Sequence, residues 1–463
     1  MIPDDVLLEI FDFYVYDVYG SKKQRSEMWI RLAHVCQRWR SFIFQSPLRL
    51  NLRLFCTSST PTRGTIDIWP PLPLIVWDEF DYFDYHPFIE GEDNIIAALE
   101  HNDRVCQIGL AVTKLGYFTN SAAILKPFPE LTGLTLRNLD EPEPILPDSF
   151  LGGTAPRLRS LHLDKVPFPG LPKLLLSTTH LVNLRLTFIP RSGYIPPEVM
   201  ATSLSALTSL EVLHLHFNYP PPRPVLESRR PPPPPLTRSF LPNLTKIEFG
   251  GAGEYLEIIL ARIDAPRLDK LNITFFNQII FDTPQLFQFI SRIPTLRAQE
   301  KGQILFTSWA VIVKFPSQIS AREPLSVQIR CEVSEWQLSS LEQVCTSSLP
   351  PVSTLEDLSI SEHRDWPPHW QDDVENTLWL DLLRSFVAVK NLYISKEFVP
   401  RIAPALQELV EGRTTEVLPA LENIFLEGFQ PSGPLHKGIE KFVAARQLTT
   451  HPVAVTQLLP WIG

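Results

Sequence analysis

No stretch of this chain approaches the ~18 consecutive apolar residues that a membrane-crossing helix needs. Its first residues, MIPDDVLLEI, are acidic where a secretion signal would be basic and apolar. From both absences the protein is expected inside the cell, in the cytoplasm, the nucleus or both. Basic charge is short as well: 42 Lys and Arg stand against 51 Asp and Glu, a formal charge of −9, and no Lys/Arg run is present. Phosphate backbones are held by clustered cations, so a nucleic-acid partner is not expected. The five cysteines (Cys36, Cys56, Cys106, Cys331, Cys345) are odd in number, scattered and never spaced CxxC. That usage fits a reducing compartment in which Cys serves as a small buried hydrophobe. Glycine is scarce, at 19 residues, beside 45 prolines, and proline at about twice its usual ~5% share implies many short elements with rigid connections.

Catalytic signatures are missing too, and no enzyme activity or cofactor is expected. There is no GxSxG elbow and no HExxH pair. His363-Arg364-Asp365 echoes a kinase catalytic loop, but WPPHW follows where Leu and a metal-binding Asn are required. Gly250–Gly253 (GGAG) sits between a strand pattern and a helix pattern, yet lacks the Walker Lys and the dinucleotide spacing, so it reads as a repeat turn. His162 and His214 occupy one slot two repeats apart, and strands ~4.8 Å apart would separate them by nearly ~10 Å, too far for one metal ion with ligands at ~2 Å. His214 and His216 have no third ligand nearby in sequence. No metal site is expected.

What the chain does have is a recurring phrase, LxxLxL. It begins at Leu131, Leu158, Leu181, Leu210, Leu244 and Leu268, returns at Leu355, Val389 and Leu421, and has a weaker copy at Val105. The intervals from Val105 to Leu268 run from 23 to 34 residues, most of them in or near the leucine-rich-repeat window. Alternation within each phrase suits a strand with one buried face, and stretches such as EYLEIILARI between phrases suit helices. No single repeat can bury its own apolar face, so stacking is required. The expected fold is α/β: an irregular leucine-rich-repeat-like solenoid over residues 51–434, parallel strands on the concave face and helices outside, closed by a cap at 435–463. Between Leu268 and Leu355 the phrase blurs, though ILFTSWAVIVKF and PLSVQIRCEV read as strands. One insertion, residues 219–235, is proline-rich and reads as a polyproline II excursion with a possible adaptor-docking spacing.

The fifth position of successive phrases holds Thr135, His162, Arg185, His214, Glu248 and Asn272, which should form a row across the strands; Arg137, Asp164, Thr187, His216, Gly250 and Thr274 form the next. Exposed side chains on a concave sheet are candidates for cargo contact, with His162, Arg185, His214, Glu248 and Asn272 chosen here. Solvated strand residues without a ligand are the plain alternative.

Residues 1–50 differ in kind. Pro3 suits a first helical turn, and Asp4 and Asp5 suit the positive end of a helix dipole. Val6, Leu7, Ile10, Phe11, Tyr14 and Val15 then recur at three- and four-residue steps, with Leu8 and Phe13 widening the stripe beyond what so short a helical segment can bury. Apolar faces follow around Trp29, Ile30, Leu32, Ala33, Val35 and Cys36, and around Trp39, Phe42 and Ile43.

IPDDVLLEIF, LAHVCQRWRSFIF and SPLRLNLRL together resemble the F-box, a three-helix module that attaches substrate receptors to the Skp-type linker of cullin-RING ubiquitin ligases. The resemblance puts Pro3, Val6, Leu7, Ile10, Phe11, Val35, Cys36 and Trp39 at or beneath a linker-binding face. Over nearly the whole length, with LRLNLRLFCTSSTP, WPPLPL and the KPFPELT phrase in order, the chain resembles the F-box receptors with leucine-rich-repeat-like solenoids expanded in mushroom-forming fungi. It implies a substrate receptor that brings an unknown protein cargo, through the linker and its cullin, to the ligase. A repeat scaffold outside any ligase, with the helical head as end cap, is the alternative.

Overall fold

The repeated phrase folds as one backbone device. The computed structural model describes residues 3–16, 22–47, 50, 52–59, 62, 64, 66, 70–77, 92–112, 121–139, 143–218, 238–278, 280–316, 323–331, 333, 336–368, 370, 376–410, 413, 415–427, 437–449 and 451–458. The leading residue of a phrase donates its N–H to the carbonyl three residues upstream, Leu131 to Phe128, Leu158 to Ala155, Leu181 to Thr178 and Leu268 to Ala265. This tight turn drives the side chain inward: Leu131, Leu158, Leu181, Leu210, Leu244, Leu268, Leu355, Val389 and Leu421 are each 0% exposed. The two following N–H groups then share one carbonyl of the preceding phrase: Arg159 and Ser160 on Thr132, Asp269 and Lys270 on Thr245, Glu422 and Asn423 on Lys390. After that anchor the strand alternates, one face buried and the other half open, as over Gly133–Asn138 and Val212–Phe217.

The chain divides into two compact units, Met1–Ile195 with Ala206–Leu210, and Pro196–Ser205 with Glu211–Gly463. In the first, helices α1 (Asp4–Tyr16), α2 (Lys22–Ala33) and α3 (Gln37–Gln45) precede six strands. Strands β1 (Leu54–Cys56), β2 (Leu74–Trp77), β3 (Val105–Val112), β4 (Gly133–Asn138), β5 (Ser160–Asp164) and β6 (Asn183–Ile189) pair in chain order, all parallel. The helical head is joined to this sheet, since the indole Nε1 of Trp29 donates to the Arg53 carbonyl at 3.1 Å.

The second unit carries β7 (Val212–Phe217), β9 (Lys246–Gly251), β11 (Lys270–Phe276), β12 (Lys301–Phe306), β13 (Ala310–Phe315), β14 (Leu325–Arg330), β15 (Asp357–Glu362), β16 (Asn391–Ile394), β17 (Asn423–Glu427) and β18 (Ala454–Leu458), with a two-residue parallel pair of β8 (Ser239–Phe240) and β10 (Ile263–Asp264) at its side. Helices between the strands bury a single stripe, as Leu286, Phe289 and Ile290 do in Pro284–Arg292. Neighbouring repeats cap one another: the Glu257 carboxylate accepts the N–H groups of Gln285 and Leu286, both at 2.8 Å, at the start of the next helix. The helix Lys437–Gln447 and β18, parallel to β17, complete the unit. The fold is thus α/β, an irregular leucine-rich-repeat-like stack of largely parallel strands and packed helices.

One segment departs from the expected parallel array. ILFTSWAVIVKF is a hairpin rather than a strand: β12 and β13 pair antiparallel through the turn at residues 307–309, and β13 pairs antiparallel with β14. The order is β11-β14-β13-β12-β15, so β14 pairs with β11 and β12 with β15, both parallel. Alternation of apolar residues is identical in parallel and antiparallel strands, which is why the sequence pattern did not separate them.

Candidate functional site

In the head, the pattern of three- and four-residue steps splits into two layers. Phe11 is fully buried, its ring edge-on to Trp39 with centroids 4.8 Å apart, and Leu7 lies buried one turn earlier. Above them, Val6, Ile10 and Phe13 follow one another along one side of α1 and are 44%, 47% and 70% exposed. Pro3, Val35 and Cys36 are exposed too, and Trp39 is half-buried. The Arg38 guanidinium pairs with Asp4 at 2.7 Å and ties α3 to the start of α1. Four of the cysteines are buried hydrophobes as expected, with burial pushing the Cys56 and Cys331 thiols up to about 11. Cys36 is the exception: it is exposed, and its Sγ accepts the Trp39 N–H at 3.4 Å as the N-cap of α3.

On the open sheet face of the first unit, Thr135, His162 and Arg185 stand in register on β4, β5 and β6. They do not form a network with one another. His162 Nε2 instead meets the Thr187 hydroxyl at 3.2 Å, and Arg185 is exposed. In the next row Arg137 and Asp164 form an ion pair at 2.9 Å.

The same slot in the second unit behaves differently. His214, Glu248 and Asn272 are in register on β7, β9 and β11, and Glu248 gathers its neighbours. Its carboxylate accepts from His214 Nδ1 at 2.9 Å, from Lys246 Nζ at 2.9 Å and from Asn272 Nδ2 at 3.3 Å. A carboxylate only accepts, so Nδ1 of His214 carries a proton. The His214 hydrogen bond, outweighing burial and helped by Lys246, holds Glu248 down to about 2. One row on, Gly250 leaves room for the His216 ring: a Cβ there would lie 2.2 Å from His216 Cδ2. Burial first, then the charges of Arg330 and His214, lower His216 to about 4, so its imidazole is neutral near pH 7.

Two further features lie outside the fifth-position row. Asp357, Asn391 and Asn423 form a ladder on β15, β16 and β17, Asn391 donating to Asp357 at 2.7 Å and Asn423 to Asn391 at 2.8 Å. Their shared third position in the phrase was the available signal. The other is a cluster at the strand ends, where the Arg330 guanidinium lies 5.2 Å from the Phe276 ring centroid and 5.3 Å from that of Trp309.

The motifs set aside in the sequence have local roles. The Gln278 side chain takes the Gly253 N–H at 2.9 Å, filling the helix start after GGAG, and His363 stacks on Trp366 with centroids 4.9 Å apart. Among the described residues, no group of three or more His, Cys, Asp or Glu is placed to hold a metal, and no helix is long and apolar enough to cross a membrane. The proline-rich run lies outside the described residues.

Together, the phrase, the stacked strands and the open polar face define a strand–helix repeat protein. No protein-family profile and no curated protein matches the chain. Among solved structures it is similar to the leucine-rich repeat-containing protein LegL7 from Legionella pneumophila, at 12% identity and a TM-score of 0.26, over 78% of this chain and 95% of that one.

Proposed function

We propose that the protein is the substrate-receptor subunit of a Skp-cullin-F-box type ubiquitin ligase. In this reading α1–α3 bind the Skp-type linker, the repeats bind a protein cargo, and catalysis belongs to the rest of the ligase. The observation that carries it is the exposed apolar side of α1, Val6, Ile10 and Phe13, on a helix whose inner residues Leu7 and Phe11 are already buried. A stripe left over after the head has packed is what a docked partner would cover. The mechanism is tethering: holding the cargo beside a charged ubiquitin-conjugating enzyme raises their effective concentration. The receptor would work in the cytoplasm or nucleus.

One observation favours the rival scaffold, in which the head is an end cap: the Trp29 indole is bonded to the backbone just before β1. The two readings separate on co-purification with a Skp-type linker. A stoichiometric complex that is lost on replacing Val6 and Ile10 with Asp supports the receptor. Failure of the intact protein to bind the linker leaves the cap.

A further inference from the structure

The hairpin that breaks the parallel order also builds a surface feature. Thr307 Oγ1 accepts the N–H groups of Trp309 at 3.3 Å and Ala310 at 2.9 Å, which fixes the turn between β12 and β13. The Ser308 N–H donates to the Trp366 carbonyl at 2.9 Å, and the Cys331 N–H to the Trp309 carbonyl at 3.0 Å. Trp309 is thereby pinned at the hairpin tip while its ring stays exposed, as does that of Trp366. Arg330, the last residue of β14, is in register with Phe276 on β11 and Ala310 on β13. Its guanidinium is packed by both the Phe276 and Trp309 rings.

Several other cations on the sheet have a carboxylate partner. Lys246, Lys301 and Lys314 pair with Glu248, Asp357 and Glu323. Among the described residues no carboxylate pairs with Arg330, although the protein carries a net charge of −9. An arginine held against aromatic rings has its fork of N–H donors pre-oriented, and Arg with Trp is the composition of interface hot spots.

We infer that Arg330, packed against Phe276 and the exposed Trp309, is a docking site for a protein segment that presents an Asp or Glu carboxylate beside an apolar side chain. The carboxylate completes the unpaired guanidinium through a bidentate charge-assisted pair, and the apolar neighbour covers the exposed Trp309 indole. A single acid fits better than a phosphoryl group. His216, which touches the Phe276 ring, is held neutral and adds no second cation near pH 7. The inference deepens the receptor reading in one respect, by giving the cargo a chemistry.

The test uses the full chain on arrayed synthetic peptides with Asp or Glu between Leu or Phe residues. Matched copies carry Asn or Gln, or phosphoserine, in place of the acid. Acid peptides should bind at least about tenfold better than their amide copies. Arg330→Gln should erase that difference, Arg330→Lys should retain part of it, and Trp309→Ala should weaken all peptides alike. Equal binding of acid and amide copies, preference for phosphoserine, or undiminished acid selectivity in Arg330→Gln overturns the inference; an unchanged melting temperature shows that the variants fold. Linker binding is read separately. Its loss with acid selectivity intact sinks the receptor reading alone, and its presence without acid selectivity sinks this site alone.

Discussion

The helical head and the open face of the second unit offer two opposite kinds of surface. On α1 the exposed apolar side chains are Val6, Ile10 and Phe13, which lack polar side-chain atoms and gain only by being covered. Across β7, β9 and β11 the half-buried polar groups already bond one another, with Glu248 serving His214, Lys246 and Asn272 at once. An apolar stripe suits a partner that is always the same, because burial rewards area and is indifferent to chemistry. A pre-bonded polar face excludes most ligands, since entering it means replacing bonds that exist. Division of labour between tethering and selection is therefore consistent with the physical character of the surfaces.

Substitutions can break that contrast, beginning with the layer beneath the stripe. Phe11→Ala removes a fully buried ring and should cost about 3–4 kcal/mol, read by denaturant unfolding of the head. A loss under about 1 kcal/mol would mean that the head is loosely packed and the two layers are not distinct. On the sheet, Gly250→Ala drives a methyl into the His216 imidazole and should cost about 1–3 kcal/mol. Unchanged stability would mean that the ring has another place to go, and the polar face would then be adaptable rather than fixed.

Acid should act on the face before the stripe. His216 has a folded-state value of about 4 against 6.5 ordinarily, so between those values the unfolded chain binds the extra proton. Stability should hold above pH 6.5 and fall on the way to pH 4, by on the order of 1–2 kcal/mol after allowance for partial exposure. Glu248 continues the trend lower down: its contribution is complete above 4.5 and lost as pH falls towards 2. His216→Phe should flatten the upper window in a urea-midpoint series, and an unchanged profile would exclude His216 as its source. Glu248→Gln keeps the shape and removes the charge, and should cost about 1 kcal/mol. Smallest of all, Ile10→Ser should change stability by less than about 0.5 kcal/mol while still weakening the linker complex, which keeps the stripe's role apart from folding.

Much of this was legible in the sequence for a specific reason. The leading Leu of each phrase closes a turn and fills the core in one move, so its spacing reports both the strand and its buried face. The fifth slot likewise located His214, Glu248 and Asn272, because register in a parallel stack follows the phrase. It could not foretell that Glu248 would gather three partners while Arg185 gathers none of its row. That depends on side-chain reach and on what occupies adjacent rows. The hairpin was invisible because TSWA lacks the Asn-Gly or Asp-Gly signature of tight hairpin turns, and both arms alternate as any strand does. Arg330, Phe276 and Trp309 meet only through that hairpin, so no spacing rule reaches them. In the head, the helical period located α1 but not the division of its residues into a buried and an open layer, which needed the packing of Trp39 on Phe11.

The strand order β11-β14-β13-β12-β15 also bears on how the chain can be made and cut. Elsewhere in these units, the short β8–β10 pair aside, each new strand zips onto one already completed, so a ribosome can add finished layers one at a time. Here β12 has no finished neighbour when it emerges, because β14, which links it back through β13 to β11, is still to be synthesised. Residues from 301 to 330 must therefore wait and assemble together, as a single cooperative block of high contact order within an otherwise sequential array. A truncation after β11 leaves a complete edge, whereas one placed between β12 and β14 strands an unpaired arm.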